Sequence, residues 1–316
     1  MRYLKINMKI SRFRLLIILY LVIFGVNMPF LCTANSDDSV VLLYHDISEV
    51  DNLGNSQMTI SRDNFYAHMR YLNDNYNIIS IGEYYGNLLN SGKAPHNAVM
   101  LTFDDGYESF YTYAYPILKE LDIPATIFLV TDTIGTENHL TWNQIKELCS
   151  SGIITIGNHT KSHCDLENIE DNQYFQELIE SKNVIEENTQ KQCKFISYPY
   201  GNINDGVIEF LHQNGYSAGF MLAEEFNIES ECFAHKRYMI DGLTVAEDLR
   251  KVIEFAKSGE NIMKYDFINN KHVDSDDAIL LFDLIMNDSS LEIDIDKNNK
   301  TDYFDSIFLL KRLLLT

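Results

Sequence analysis

Between residues 40 and 200, short, mostly apolar runs alternate with longer segments of helical period, and no other feature restricts the fold as tightly. The runs are Val40–Tyr44, Tyr76–Ile81, Ala98–Phe103, Ala125–Val130, Ile153–Gly157 and Phe195–Tyr198. They lack polar alternation, which predicts strands covered on both faces. Between them, Ser61 precedes Phe65, Met69 and Leu72 at helical spacing, and further helices are expected near 110–121, over 141–150 and over 172–188. Strand and helix in alternation imply a parallel α/β sheet or barrel with its chemistry at the strand C-terminal ends. The expected class is α/β, a distorted (β/α) barrel.

His45, Asp104, His159 and Tyr200 each stand at or just past the end of one of these runs. In Thr102-Phe103-Asp104-Asp105-Gly106 two carboxylates are adjacent and Gly106 permits a tight turn. One can bind a cation while its ionised neighbour takes a proton from water. Asn158-His159-Thr160-Lys161-Ser162-His163 places two imidazoles four residues apart. That spacing lets both reach one ion, from a helix face or from a loop curling at the strand end. A turn of solvated acids, or a surface histidine, is the plain alternative for either motif alone.

Together the two motifs resemble those of the polysaccharide deacetylases of carbohydrate esterase family four, the NodB-homology domain, which read TFDDG and H-[ST]-x-x-H. The likeness runs from about Val40 to Thr244. It implies metal-dependent removal of acetyl groups from a polysaccharide. Asp104 would be the catalytic base, and Asp105, His159 and His163 the ligands of Zn²⁺, with Co²⁺ or Ni²⁺ as substitutes. In the third motif the Pro199-Tyr200-Gly201 core is present, so the Tyr200 backbone N–H is expected to face the oxyanion. The arginine that precedes this core in many members is absent, and Ser197 is not expected to hold the aspartate in its place. Arg237 lies in a segment resembling the late arginine strand of the branch without that arginine, and is expected to orient Asp104. Leu43-Tyr44-His45 resembles the Leu-x-His motif found late in the family, here placed first. That order resembles a circularly permuted branch that includes biofilm glucosamine-polymer deacetylases, and it makes His45 the expected general acid. An N-acetylated glucosamine glycan is then the favoured substrate. The alternatives are an acetylxylan esterase on a cellulosome-type scaffold and a non-catalytic carbohydrate-binding protein on a decayed deacetylase fold.

The first 34 residues carry Arg2, Lys5, Lys9, Arg12 and Arg14, no acid, and an apolar run from Leu15 to Leu31. This is the pattern of a signal peptide ending at Ala34, with an uncleaved anchor as the alternative. Export is expected, with no stable membrane span after its removal. Of 25 Lys and Arg, five lie in this leader and none of the 46 Asp and Glu do, so the remainder carries a formal charge of −26. Such a surface repels nucleic acid and anionic lipid but accepts neutral or cationic glycans. Cys149, Cys164, Cys193 and Cys232 remain in the mature part without any CxxC pair, so a cysteine metal site is not expected. Disulfides and buried free thiols both stay open.

Residues 35–256 are expected to form the deacetylase domain, with a linker around Ala256–Glu260. Residues 257–316 hold two acidic loops, each followed by an apolar helix. Asp294, Asp296, Asn298, the Lys300 carbonyl, Asp302 and Asp305 occupy the oxygen-ligand positions of a twelve-residue calcium loop, with Asn299 where glycine is usual. Asp266, Asn270, His272, Asp274 and Asp277 repeat the spacing, with Ile268 costing one ligand. The pair resembles a dockerin, a small all-α Ca²⁺ module, which implies a cohesin-bearing scaffold protein as partner. A calcium-stabilised appendage and an acidic surface without calcium are the alternatives.

Overall fold

The computed structural model describes residues 39–49, 58–91, 94–222, 232–240, 242 and 244–258. The leader, both calcium loops and most of the proposed C-terminal module lie outside these residues.

Seven parallel strands close a barrel in the order β1 (Val40–Tyr44), β10 (His235–Met239), β9 (Ala218–Leu222), β8 (Phe195–Ser197), β7 (Ile154–Asn158), β6 (Ala125–Leu129) and β5 (Ala98–Phe103), and β1 pairs with β5 to complete the ring. A two-residue strand, β4 (Asn77–Ile78), pairs in parallel with the start of β5 at Ala98 and Val99. A separate parallel pair, β2 (Asp46–Ser48) and β3 (Thr59–Ser61), lies just after β1 in the chain. Every residue of β1, β5, β6 and β8 is buried, as expected for strands with a filled lumen on one side and helices on the other.

Helices α1 (Arg62–Asn75), α2 (Ile81–Ser91), α3 (Tyr115–Glu120), α4 (Trp142–Ser150), α5 (Ser181–Thr189), α6 (Asp205–Gln213) and α7 (Ala246–Ser258) accompany the strands. Their starts are chemically marked. Ser61 accepts the Asn64 N–H, Thr141 and Gln144 form a reciprocal capping box, and Asn204 accepts the Val207 N–H.

Three expectations are corrected. The strand read over 76–81 shrinks to Asn77–Ile78, and Ile81 opens α2 instead, because the Ser80 hydroxyl takes the Glu83 N–H and caps a helix there. The linker placed at Ala256–Glu260 starts too early, since α7 continues to Ser258, with Leu249 and Ile253 buried one turn apart on the core and Ala256 packed beside them. The helices read over 110–121 and 172–188 each contain a wide π-turn, Phe110–Ala114 and Phe175–Glu180, the second preceded by a 3-10 turn at Asp171–Gln173. The first ends two residues before Pro116, which has no N–H for the regular helical bond.

Candidate active site

The strand ends put the polar groups together. Past β5, Asp105 (φ 67°) and Gly106 (φ 74°) take left-handed backbone, and a Cβ on Gly106 would stand 3.0 Å from Leu129 Cδ2. Glycine is therefore favoured at 106 by conformation, and a larger residue would also press on Leu129. Past β7, Thr160 (φ 67°) and His163 (φ 61°) also turn left-handed, and the His163 N–H donates to Thr160 Oγ1 at 2.9 Å. The two histidines thus meet through a curled loop, which decides between the helix-face and loop alternatives.

His159 Nε2 lies 3.5 Å and His163 Nε2 3.4 Å from Asp105 Oδ1. The three ligand atoms fall within 4.8 Å of one another. His159 is buried, and its Nδ1 is 2.9 Å from the Ser197 carbonyl oxygen. A carbonyl only accepts, so Nδ1 carries the proton and Nε2 presents its lone pair to the cluster. Burial lowers the His159 pKa against the opposing pull of Asp104 and Asp105, which favours the neutral ligand form. Two imidazole nitrogens and one carboxylate oxygen are the donor set of a divalent ion such as Zn²⁺ with positions left open.

Asp104 is buried beside this cluster, with Oδ2 at 3.7 Å from His159 Nε2. Arg237 grips it bidentately: Nη1 donates to Oδ1 and Nη2 to Oδ2, each at 2.7 Å. The arginine is 1% exposed and its guanidinium lies 5.7 Å from the Phe128 ring centroid. Only a side chain crossing the lumen can leave β10 and touch groups from β5, β6 and β8 at once. Burial by itself would raise the Asp104 pKa, but the Arg237 charge and hydrogen bonds, with His159 assisting, outweigh it and hold the carboxyl well below the usual range.

Ser197 corrects the sequence reading. Its hydroxyl donates to Asp104 Oδ2 at 2.8 Å and accepts from Arg237 Nη2 at 2.7 Å. It does hold the aspartate, jointly with an arginine from another strand, while its carbonyl holds His159. Nothing in the sequence marked Ser197, because the contact depends on β8 facing β5 and β10 across the lumen.

His45 follows β1, and its Nδ1 is buried without a hydrogen-bond partner among the described residues. Burial lowers its pKa, opposed by the charges of Asp104 and Asp105, so it shares their pocket. Tyr200 is 57% exposed with φ 62°, and its ring meets His163 edge-on at 4.8 Å between centroids. The structure therefore gathers His45, Asp104, Asp105, His159, His163, Tyr200 and Arg237 at one barrel mouth. The calcium-loop positions Asp266, Asn270, Asp274, Asp277, Asp294, Asp296, Asn298, Lys300, Asp302 and Asp305 lie outside the described residues. Cys149, Cys164, Cys193 and Cys232 are unbridged, the last two buried.

Residues 91–219 match the family model for polysaccharide deacetylase. A Bacillus subtilis protein named "Putative polysaccharide deacetylase YxkH" is 36% identical over 180 residues, covering 57% of this chain and 62% of its own length. The poly-beta-1,6-N-acetyl-D-glucosamine N-deacetylase of Staphylococcus aureus is 33% identical over 150 residues, covering 42% of this chain and 51% of its own. The chain thus spans about half to three-fifths of the length of these curated relatives. Among solved structures, the Streptococcus pyogenes deacetylase PplD in complex with acetate superposes with a TM-score of 0.61 at 27% identity, covering 68% of this chain and 97% of that one. Residues 91–219 are thus similar in sequence to polysaccharide deacetylases, and about two thirds of the chain is similar in fold to a solved deacetylase.

Proposed function

We propose that this protein is a polysaccharide deacetylase, a metal-dependent hydrolase that removes N-acetyl groups from a glucosamine-containing polysaccharide. The observation that carries the proposal is the ligand set Asp105, His159 and His163 beside a separate carboxylate, Asp104, kept ionised by Arg237.

Asp105, His159 and His163 would hold a divalent ion, Zn²⁺ by preference and Co²⁺ or Ni²⁺ as substitutes. When bound, such an ion supplies Lewis-acid charge to the acetyl oxygen and to a water. Asp104 accepts the water proton as the water oxygen attacks the acetyl carbon. Arg237 and Ser197 keep its oxygens fixed, so no reorientation is needed in the transition state. The Tyr200 N–H serves the oxyanion. His45 passes a proton to the departing nitrogen as the carbon–nitrogen bond breaks, giving acetate and a free amine.

Three observations support the finer reading. One curated relative is a poly-beta-1,6-N-acetyl-D-glucosamine N-deacetylase. The first strand stands between β5 and the last barrel strand, where a permuted final motif would fit. The strongly acidic chain suits a glycan that gains positive charge as it loses acetyl groups. We extend the proposal to export through residues 1–34 and to a calcium-binding, dockerin-like module at 257–316 that docks on a cohesin-bearing scaffold; both rest on sequence pattern.

Acetate release from poly-β-1,6-N-acetylglucosamine oligomers and from acetylxylan, with chelator and with zinc restored, tests the proposal. N-acetyl substrates should be cleaved, chelation should abolish release and zinc should restore it. Release from acetylxylan alone would overturn the N-acetyl assignment, and chelator-insensitive release would overturn the metal.

A further inference from the structure

The loop that carries His163 is held by a group outside the motif. Glu177, 8% exposed, lies in the π-turn Phe175–Glu180. Its Oε2 accepts the backbone N–H of Lys161 at 3.1 Å and of Ser162 at 3.0 Å, and its Oε1 accepts the Ser162 hydroxyl at 2.9 Å. Two successive amides aimed at one carboxylate oxygen form an anion nest. On the loop's other side, the Thr131 and Asp132 N–H groups donate to the Thr160 and Lys161 carbonyls at 3.3 and 3.0 Å. Residues 160–162 are thus clamped between the turn after β6 and Glu177. This clamp keeps Thr160 and His163 in the left-handed conformation that turns His163 back toward Asp105.

The same π-turn reaches His159 through its neighbour. Asn158, fully buried, donates through Nδ2 to the Ser181 hydroxyl at 2.7 Å and the Tyr216 hydroxyl at 2.6 Å, and the Tyr216 hydroxyl donates to the Leu178 carbonyl at 2.6 Å. The Ser181 hydroxyl in turn donates to the Glu177 carbonyl at 2.5 Å. A π-turn leaves such carbonyls without their usual i+4 partner, which makes them available to side chains of other elements. The residue before His159 and the two residues before His163 are therefore tied to one irregular turn.

We propose that Glu177 is a positioning residue for the metal centre, acting through the Lys161–Ser162 amides to fix the separation of His159 and His163. The inference rests on the metal-centre reading above. Outer groups that orient ligands typically change metal affinity roughly 10–100-fold when removed.

Zinc affinity, measured by competition titration on the full chain, tests this, with circular dichroism of the metal-free protein as a control for folding. Glu177→Ala should bind zinc roughly 10–100-fold more weakly with an unchanged metal-free spectrum. Glu177→Gln should stay within about threefold of wild type, because its carbonyl oxygen can still accept both amides and the Ser162 hydroxyl can rotate to accept from its N–H₂. Glu177→Asp keeps the charge but is one methylene short of the nest, so it should weaken zinc like the alanine variant; it carries the test if the alanine variant does not fold. Wild-type zinc affinity in folded Glu177→Ala or Glu177→Asp would overturn the inference while leaving the metal centre standing. Absence of zinc uptake by the wild type would overturn the metal centre itself and this inference with it.

Discussion

Arg237→Met separates the electrostatic role of the guanidinium from its packing, since methionine can still cover Phe128. In the wild type, burial works to raise the Asp104 pKa and the two 2.7 Å bonds from Arg237 reverse it. Removing one partner of a buried ion pair costs about 3–5 kcal/mol. At about 1.4 kcal/mol per pKa unit, that is a rise of about two to four units, from well below the carboxylate range to the range or above it. The sign follows from which state binds the proton first. Wild-type Asp104 has a folded pKa below its unfolded value of about 4, so its contribution is present above pH ~4 and is lost as pH falls through the folded value. In the variant burial dominates, so the charged group opposes folding at neutral pH and that penalty fades as the carboxyl protonates. The stability gap between wild type and variant should be about 3–5 kcal/mol at pH 7.5, roughly 6–20 °C in Tm for a domain of this size, and should narrow toward pH 4. Acetate release at saturating zinc should acquire an acid limb in the variant that the wild type lacks at the same pH. Calorimetric scans from pH 4 to 8, paired with pH–rate profiles, read both quantities. A gap that is constant with pH, together with an unshifted acid limb, would refute the reasoning.

Other substitutions isolate the remaining roles. Ser197→Ala removes the hydroxyl shared by Asp104 and Arg237 but keeps the carbonyl that holds His159, so kcat should fall roughly tenfold, about the worth of one hydrogen bond to a charge, with zinc affinity unchanged. Equal losses in both quantities would show that Ser197 acts on the metal ligands instead. His45→Gln should lower kcat about 10²–10⁴-fold at unchanged zinc affinity, the range for a lost acid–base group, and a variant within threefold of wild type would remove His45 from proton transfer. His68 is fully buried between the Thr244 carbonyl and the Tyr44 hydroxyl, and burial lowers its pKa to about 4. It is a base kept neutral in the fold, so stability should be complete above pH ~6.5 and should decline by about 3 kcal/mol as pH falls toward 4. His68→Gln should flatten that decline in urea titrations at pH 6.5 and 4.5, and an equal decline in both proteins would exclude the histidine as its source.

The strands leading into Asp104 and His45 were readable because both their faces are apolar, so Ala98–Phe103 and Val40–Tyr44 stand out. The strand Ala218–Leu222 and the helix Asp205–Gln213 were not singled out. Gly219 interrupts that strand because a Cβ there would fall on the Tyr198 hydroxyl, and a tertiary contact of this kind leaves no local period. The two π-turns were read as plain helix because their apolar spacing is nearly helical, while the bonds that widen the second come from Asn158 and Tyr216, distant in sequence. At the site, the two motifs singled out Asp104, Asp105, His159 and His163, which the fold brings together. The motifs could not reveal that Ser197 touches Asp104 or that Glu177 grips the 161–162 amides, since both contacts depend on which strands and turns face each other.

The division of labour also follows the way the barrel closes. The segment matching the family model, 91–219, includes Asp104, Asp105, His159, His163, Ser197 and Tyr200 but neither β1 nor β10. Those two strands seal the barrel, β1 pairing with β5 on one side and with β10 on the other. They also bring two further polar groups to the site: Arg237 lies within β10, and His45 directly follows β1. The candidate metal ligands and Asp104 therefore come from the matched segment, while the clamp on Asp104 and His45 come from the closing strands, joined at one seam. A chain could keep the ligand motifs intact while changes in the closing strands removed the clamp on the base or the proton donor. Loss of a closing strand would also expose the paired edge of β5, so the fold and the proton chemistry fail together. The groups that the seam adds to the site, Arg237 and His45, thus lie outside the ligand motifs.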